Sequence, residues 1–283
     1  MQIIDGKSLA AGLRQEVAAA VSALQQHGRA INFAAVLVGN DPASQIYVRN
    51  KRRACEQVGI NFTLHQLPTA STVADVANLL QDLSRNPAVQ GILLQFPLPA
   101  ALADQTAYLL NLIDPKKDVD GLTDVNLGRL AAGRPQLVPC TAQGVVTAIQ
   151  SVCPDLTGKN VVVIGRSQIV GRPTSLLLTN FNATVTVCHR HTQNLAQFTQ
   201  AADIVVVAAG QPGLLTGQMV KAGAVIIDVG INRLANGQIV GDVDQASLTT
   251  AAAVTPVPGG IGPLTVAYLL KNLVFAEQLQ HGA

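Results

Sequence analysis

Two uninterrupted apolar runs constrain this chain most: Val161-Val-Val-Ile164 and Ile204-Val-Val-Val207. A strand with one wet face alternates apolar and polar residues. A run without alternation reads as a strand covered on both faces, the usual state of strands in parallel sheets. Other strand candidates are Phe33–Val38, Asn61–His65, Gly91–Leu94, Thr184–Cys188 and Val225–Asp228. Stretches of 3.6-residue periodicity lie between most neighbours, so the expectation is βαβ units and parallel sheets.

The stretch between Ile113 and Thr141 interrupts the pattern. It holds Asp114-Pro115, Asp120-Gly121, Gly128, Gly133, Pro135 and Pro139, all turn chemistry. Each side has its own βαβ series, which predicts two α/β domains, the second a Rossmann-like doubly wound parallel sheet. The expected boundaries are 1–120 and 140–261, with a C-terminal helix over 262–283. At 283 residues the chain has ample length for two cores. With 48% hydrophobic and 13% charged residues it is not a disordered chain. A formal net charge of +2 argues against a nucleic-acid binder. Mean hydropathy is +0.32, yet Gly, Pro, Asn or charge breaks every apolar run before it could span a bilayer. The opening residues lack the apolar stretch of a signal peptide. Cys55, Cys140, Cys153 and Cys188 are scattered, with no CxxC spacing. They read as reduced thiols of a cytoplasmic protein, and no metal site is expected.

The second half opens with a strand, a glycine turn and a helix: Val161–Ile164, then Gly165-Arg-Ser-Gln-Ile-Val-Gly171-Arg-Pro173. Such a turn brings backbone N–H groups against a pyrophosphate at a helix N-terminus. Ser167 stands where the strict GxGxxG fingerprint has its second glycine, so an ordinary βα turn is an equally good reading of this motif alone. The following strand ends in Cys188-His189-Arg190, without the acidic residue that binds a ribose 2′-hydroxyl. Arg190 and Arg166 suit a 2′-phosphate instead, favouring NADP over NAD, although each arginine alone reads as a solvated loop residue. Ala208-Ala209-Gly210 follows the third strand, and such small residues let a nucleotide lie close to the chain.

In the first half, Asp41-Pro42 is a helix start and Gly59 a stop. Helical geometry puts Tyr47, Lys51, Ala54, Cys55 and Val58 on one apolar face, with Arg49, Arg52, Arg53 and Glu56 opposite. Lys51 on that face either snorkels to water or sits in a partly desolvated cleft where Tyr47 could orient it. Gln95 follows a strand end, the usual ligand edge of a parallel sheet, and Gln95-Phe-Pro-Leu-Pro99 stiffens the loop. Lys116-Lys-Asp-Val-Asp120-Gly121 reads as a turn or a site on spacing alone.

Together these motifs resemble the methylenetetrahydrofolate dehydrogenase/cyclohydrolase family. The likeness is carried by Val38-Gly39, Ser44-x-x-Tyr47-Val-x-x-Lys51, Gly59-Ile60 and Gln95-Phe-Pro-Leu-Pro. It continues through Lys117-Asp-Val-Asp-Gly-Leu, Gly165-Arg-Ser-x-Ile-Val-Gly-x-Pro173 and Thr255-Pro-Val-Pro-Gly-Gly-Ile-Gly-Pro263. The motifs span about residues 1–275. Departures are small: Ala142 stands where relatives often have Pro, Ile261 and Leu264 replace a common Val and Met, and Arg53 is often Lys.

The resemblance implies an N-terminal catalytic domain, an NADP-binding Rossmann domain, a C-terminal helix returning to the first domain, and an active-site cleft between the domains. It implies a homodimer with a folate substrate, and two reactions. Hydride passes from 5,10-methylenetetrahydrofolate to NADP+, and water then opens the methenyl cation to 10-formyltetrahydrofolate. Lys51 matches the family's catalytic lysine, assisted by Tyr47 and Gln95, and Asp120 matches the carboxylate that grips the pterin. The implied cofactor set is Gly165, Arg166, Ser167, Ile169, Gly171, His189, Arg190, Gly210 and Ile231. Gly259, Gly260, Pro263 and Thr265 complete the substrate set with Tyr47, Lys51, Gln95 and Asp120. The Arg49/Arg52/Arg53 cluster gains a use against an anionic, polyglutamylated folate tail. Rival readings are a shikimate- or amino-acid-dehydrogenase-like enzyme, an NADP-binding regulator, and a dehydrogenase that has lost the hydrolase.

Overall fold

The computed structural model describes residues 1–282; Ala283, the last residue of the expected helix, lies outside the described residues. The chain begins with strand β1 (Gln2–Ile3) and helix α1 (Gly6–Gln26). It continues through β2 (Asn32–Val38), α2 (Pro42–Val58), β3 (Asn61–Leu67), α3 (Val73–Arg85), β4 (Gly91–Leu94), α4 (Thr106–Leu110) and α5 (Asp124–Ala131). Next come α6 (Cys140–Gln150), β5 (Asn160–Ile164), α7 (Gly171–Asn180), β6 (Thr184–Cys188), α8 (Leu195–Thr199), β7 (Ile204–Val207) and β8 (Val225–Asp228). The strands β9 (Asn232–Arg233), β10 (Ile239–Val240) and β11 (Ala253–Val254) precede the final helix, α9 (Ile261–His281). All seven strands expected from the sequence are present. The additions are two-residue strands, too short to show a period.

The chain forms two compact units. One comprises Gly12–Val138 and Leu269–Ala283. Its three-stranded sheet has the order β3-β2-β4, and both pairings are parallel. Its core buries Val36, Leu80, Ile92 and Leu109. The final stretch of α9 belongs here: Asn272 Nδ2 donates to the carbonyls of Val119 and Val138, both at 2.9 Å. Buried Glu277 accepts from Arg29 Nε at 2.6 Å.

The other unit comprises Met1–Ala11 and Pro139–Tyr268. Its six-stranded sheet has the order β1-β11-β8-β7-β5-β6, every neighbouring pair parallel. The two continuous apolar runs are its inner strands β5 and β7, and residues Val161–Ile164 and Ile204–Val207 are all buried. The first eleven residues, expected in the N-terminal domain, join this unit because β1 pairs in parallel with β11, Ile3 opposite Val254. Strand order reverses at β5, which is flanked by β6 and β7, so this sheet has a topological switch point at the carboxyl end of β5.

Candidate active site

Helix α2 begins as its sequence dictates. Asp41 Oδ2 accepts the Ser44 N–H at 2.7 Å, Pro42 takes the first turn, and Gly59 closes the helix at φ 80°. The buried stripe is Ser44, Val48, Cys55 and Val58, with Ala54 at its edge. Lys51 lies in line with it, three residues beyond Val48 and four before Cys55, and is half-buried. Tyr47, expected on this face, is 42% exposed, while Ala54 and Val58 at neighbouring angles further along the helix are buried. Arg49, Arg52, Arg53 and Glu56 are exposed, and the Arg52 guanidinium lies 5.3 Å from the Phe62 ring centroid.

Gln95 meets this helix from the carboxyl end of β4. Its side chain is buried, and Oε1 accepts from Lys51 Nζ at 3.0 Å. Its Nε2 donates to the Phe96 carbonyl at 2.6 Å, so the amide is fixed from both ends. Ser44 Oγ donates to the same carbonyl at 3.3 Å, tying the loop to the first turn of α2. Gln95 N–H donates to Val36 O at 2.8 Å, which locks the loop's start to the sheet. The structure thus brings together Lys51 and Gln95, residues 44 apart in sequence.

The acidic loop divides into structural and available parts. Ile92 and Asp118 form a parallel bridge that fixes the segment beside β4. Asp118 is buried; Oδ2 accepts the Thr123 N–H at 2.8 Å and Asn126 Nδ2 at 2.9 Å. Lys117 Nζ donates to Asn86 O at 2.7 Å, and burial pushes its ammonium below the ordinary lysine pKa, with Asp114 opposing. Asp120, half-buried, follows where the chain turns at Gly121.

In the other unit the glycine turn is built for close approach. A Cβ on Gly165, at φ 122°, would collide with the Ala208 carbonyl, and one on Gly171 with the Gly165 carbonyl. Ser167 does not replace the missing glycine passively: its Oγ accepts the N–H of Val170 at 3.2 Å and of Gly171 at 3.4 Å, shaping the turn that leads into α7. Ile164 and Cys188 are register partners, so Arg166 and Arg190 each follow two residues beyond one level of the sheet. Both are exposed, and neither has an ion-pair partner among the described residues. Arg190 Nε donates to His191 Nε2 at 3.1 Å, and the His189 N–H to Thr192 Oγ1 at 2.9 Å. Ile169 and Ile231 stand 47% and 53% exposed, unusual for isoleucine, and Gly210 turns the chain at φ 68° after β7. Gly259 has φ 112°, Gly260 is buried, and Pro263 is half-buried. Thr265 Oγ1 lies 3.2 Å from Thr141 Oγ1.

Sequence reasoning missed two buried acids in this unit. Asp242 Oδ2 accepts the N–H groups of Ala209 at 2.6 Å and Gly210 at 2.9 Å. Asp228 ends β8, and burial lifts its carboxyl to a pKa of about 6 against opposing backbone hydrogen bonds. The only signal was an acid beside glycine in Asp228-Val-Gly230 and Gly241-Asp242.

Comparison with known proteins divides the chain in sequence order, assigning residues 4–11 to the first domain and 269–281 to the second, unlike the compact units. Residues 4–120 match the catalytic domain of tetrahydrofolate dehydrogenase/cyclohydrolase, and residues 139–281 its NAD(P)-binding domain. The bifunctional methylenetetrahydrofolate dehydrogenase/cyclohydrolase of Campylobacter jejuni is 42% identical over 99% of each chain, with a TM-score of 0.96. The Trypanosoma brucei enzyme, solved with NADP and an inhibitor, is 38% identical over 99% of this chain and 98% of its own, with a TM-score of 0.94. Shikimate dehydrogenase from Aquifex aeolicus, at 11% identity over 89% of this chain and 93% of its own with a TM-score of 0.51, shares the fold alone. Two matched domains and relatives of this identity along nearly the whole length place the chain in the tetrahydrofolate dehydrogenase/cyclohydrolase family.

Proposed function

We propose that this protein oxidises 5,10-methylenetetrahydrofolate with NADP+ and hydrolyses the resulting methenyl cation to 10-formyltetrahydrofolate. The observation that carries this reading is the Lys51–Gln95 hydrogen bond at the end of β4, in a chain whose other unit has the phosphate-ready turn at Gly165. NADP+, when bound, accepts the hydride. The chain's part in that step is to hold the nucleotide. Gly165 and Gly171 leave room for backbone approach, and Ser167 shapes the turn. Arg166 and Arg190 meet the 2′-phosphate, with His189 beside them. Gly210, Ile169 and Ile231 border the remaining nucleotide surface.

Hydrolysis asks for proton transfer. Lys51 Nζ, aimed by Gln95 Oε1, is the group that in its neutral amine form takes a proton from the attacking water and becomes the ammonium, and Tyr47 stands one helical turn away to meet the ring system. Asp120 accepts the paired N–H donors of the pterin's amino-pyrimidine edge, for which a carboxylate has the matching acceptors. Gly259, Gly260, Pro263 and Thr265 supply the remaining substrate contacts. The exposed Arg49, Arg52 and Arg53 offer charge to a glutamate tail. An NADP-binding regulator would have no use for a lysine within the apolar stripe of α2. Family membership also supports a homodimer, which gel filtration with light scattering checks. Four free cysteines support a reducing, cytoplasmic setting, and no described helix is long and apolar enough to cross a membrane.

The deciding experiment is a spectrophotometric assay with methylenetetrahydrofolate and NADP+, followed by methenyltetrahydrofolate alone. Reduction of NADP+ in the first and decay of the methenyl absorbance in the second are expected. Turnover in neither overturns the reading, and turnover in the first alone leaves a dehydrogenase without the hydrolase.

A further inference from the structure

Asp228 and Asp242 are 1% and 0% exposed, and burying two carboxylates side by side is expensive unless the groups around them are well matched. The matching is extensive. Asp228 Oδ1 accepts the N–H groups of Gly230 at 3.0 Å and Asp242 at 2.9 Å, and Oδ2 accepts that of Val243 at 3.1 Å. The backbone of Asp242 is therefore held by Asp228. The Asp242 side chain then divides its two oxygens between two loops. Oδ2 takes the Ala209 and Gly210 N–H groups after β7, and Oδ1 takes Asn232 Nδ2 at 2.8 Å in the segment after β8. The chain is packed around these oxygens so closely that a Cβ on Gly241 would strike the Asp228 carboxylate, and one on Gly230 the Asp242 carboxylate. The bridged segments are those that carry Gly210 and Ile231.

We propose that Asp242 is a positioning residue for the nicotinamide cofactor: its carboxylate fixes the loop at Gly210 relative to the loop at Ile231, and so sets how well the chain binds NADP+ without touching it. This inference rests on the cofactor reading above. Two adjacent backbone donors after β7, those of Ala209 and Gly210, share one acceptor, which the loop after β10 supplies. The clamp requires acceptors on both oxygens at once, which an amide does not have.

The test uses Asp242→Asn, which keeps the shape but turns one acceptor into a donor facing Asn232. NADP+ affinity is measured by isothermal titration calorimetry, and the two activities are assayed separately. Loss of one paired acceptor at a buried site implies that Kd for NADP+ rises about fivefold or more. Dehydrogenase kcat/KM falls with it, while hydrolysis of methenyltetrahydrofolate, which consumes no cofactor, stays within about twofold. Adding Asn232→Asp reverses the donor and acceptor of the side-chain link, and the double variant is expected to regain most of the affinity. That pair keeps the inference testable even where the single variant folds poorly. An unchanged Kd overturns the proposal. Equal loss of both activities with a lowered Tm and no rescue also overturns it, by showing a purely structural role. A wild-type protein that binds no NADP+ overturns the functional reading itself, and the inference with it.

Discussion

Replacing Arg190 by Ser should cost the enzyme NADP+ and spare NAD+. The guanidinium leaves β6 two residues past Cys188, at the same level of the sheet as Arg166 past Ile164. It is exposed, and its Nε donates to His191, leaving its charge uncompensated by any carboxylate among the described residues. A charge-assisted hydrogen bond contributes about 1.5–3 kcal/mol when shielded, while exposed ion pairs contribute about 1 kcal/mol or less. The exposure of Arg190 places it at about 1 kcal/mol, about fivefold at 1.36 kcal/mol per decade. Arg166 doubles the free energy in the wild type, so NADP+ should exceed NAD+ by at least about tenfold in kcat/KM. Initial rates with each cofactor, for wild type and Arg190→Ser, measure both quantities. The NADP+ advantage should also shrink as salt rises, since a solvated charge pair is screened. Equal losses with both cofactors, or no loss with either, would refute the assignment of this arginine to the phosphate.

Lys51→Met should abolish cyclohydrolase activity while NADP+ binding persists; near-normal decay of methenyltetrahydrofolate would remove the lysine from the mechanism. Asp120→Asn loses one acceptor, and an unpaired donor costs about 1–3 kcal/mol, so folate-analogue binding should weaken about 5- to 150-fold with both rates reduced. Among the thiols, Cys55 is buried and pushed up to about 12 by desolvation and by Glu56, against the pull of Lys51, so it should resist labelling at pH 8. Cys153, half-buried, should react first, as mass mapping of the native protein would show. The Asp228 carboxyl should titrate at about 6 in carbon-13 NMR, and a value below 4 would contradict its burial. Because that value is raised from 3.8, the folded state binds the extra proton between about pH 4 and 6. The group's contribution therefore favours folding at low pH and is lost as pH rises through 6, by at most about 3 kcal/mol.

The inner strands were legible because burial on both faces writes itself into local composition, as in Val161–Ile164. The strands β1 and β11 were not, because two residues carry no period and their pairing joins Ile3 to Val254. The start and stop of α2 were readable from Asp41, Pro42 and Gly59, whose chemistry acts within four residues. The face of α2 was read less well. Lys51 lies in its buried line, but Tyr47, nearer the helix start than Ala54 and Val58 on the same side, is exposed. Gln95 was found through its place at a strand end, whereas its bond to Lys51 depends on tertiary packing. The Asp228–Asp242 pair shows the limit most clearly. Each acid beside a glycine looks like an ordinary turn, and only the fold brings their carboxylates and backbone donors together.

The discontinuity of both units bears on how the protein is made. Arg29 and Glu277 meet across a sequence separation of 248 residues, and Ile3 cannot pair until Val254 exists. On the ribosome, the sheet of β2, β3 and β4 emerges early but must wait for the last turns of α9 to cover it. The core of Ala34 to Leu122 can form within the first half, but the side of β4 at Gly91 that meets Leu273 stays uncovered until the end of synthesis. Cutting the gene at Val138 would not yield two self-sufficient proteins, since one fragment would lack its closing helix and the other its edge strand.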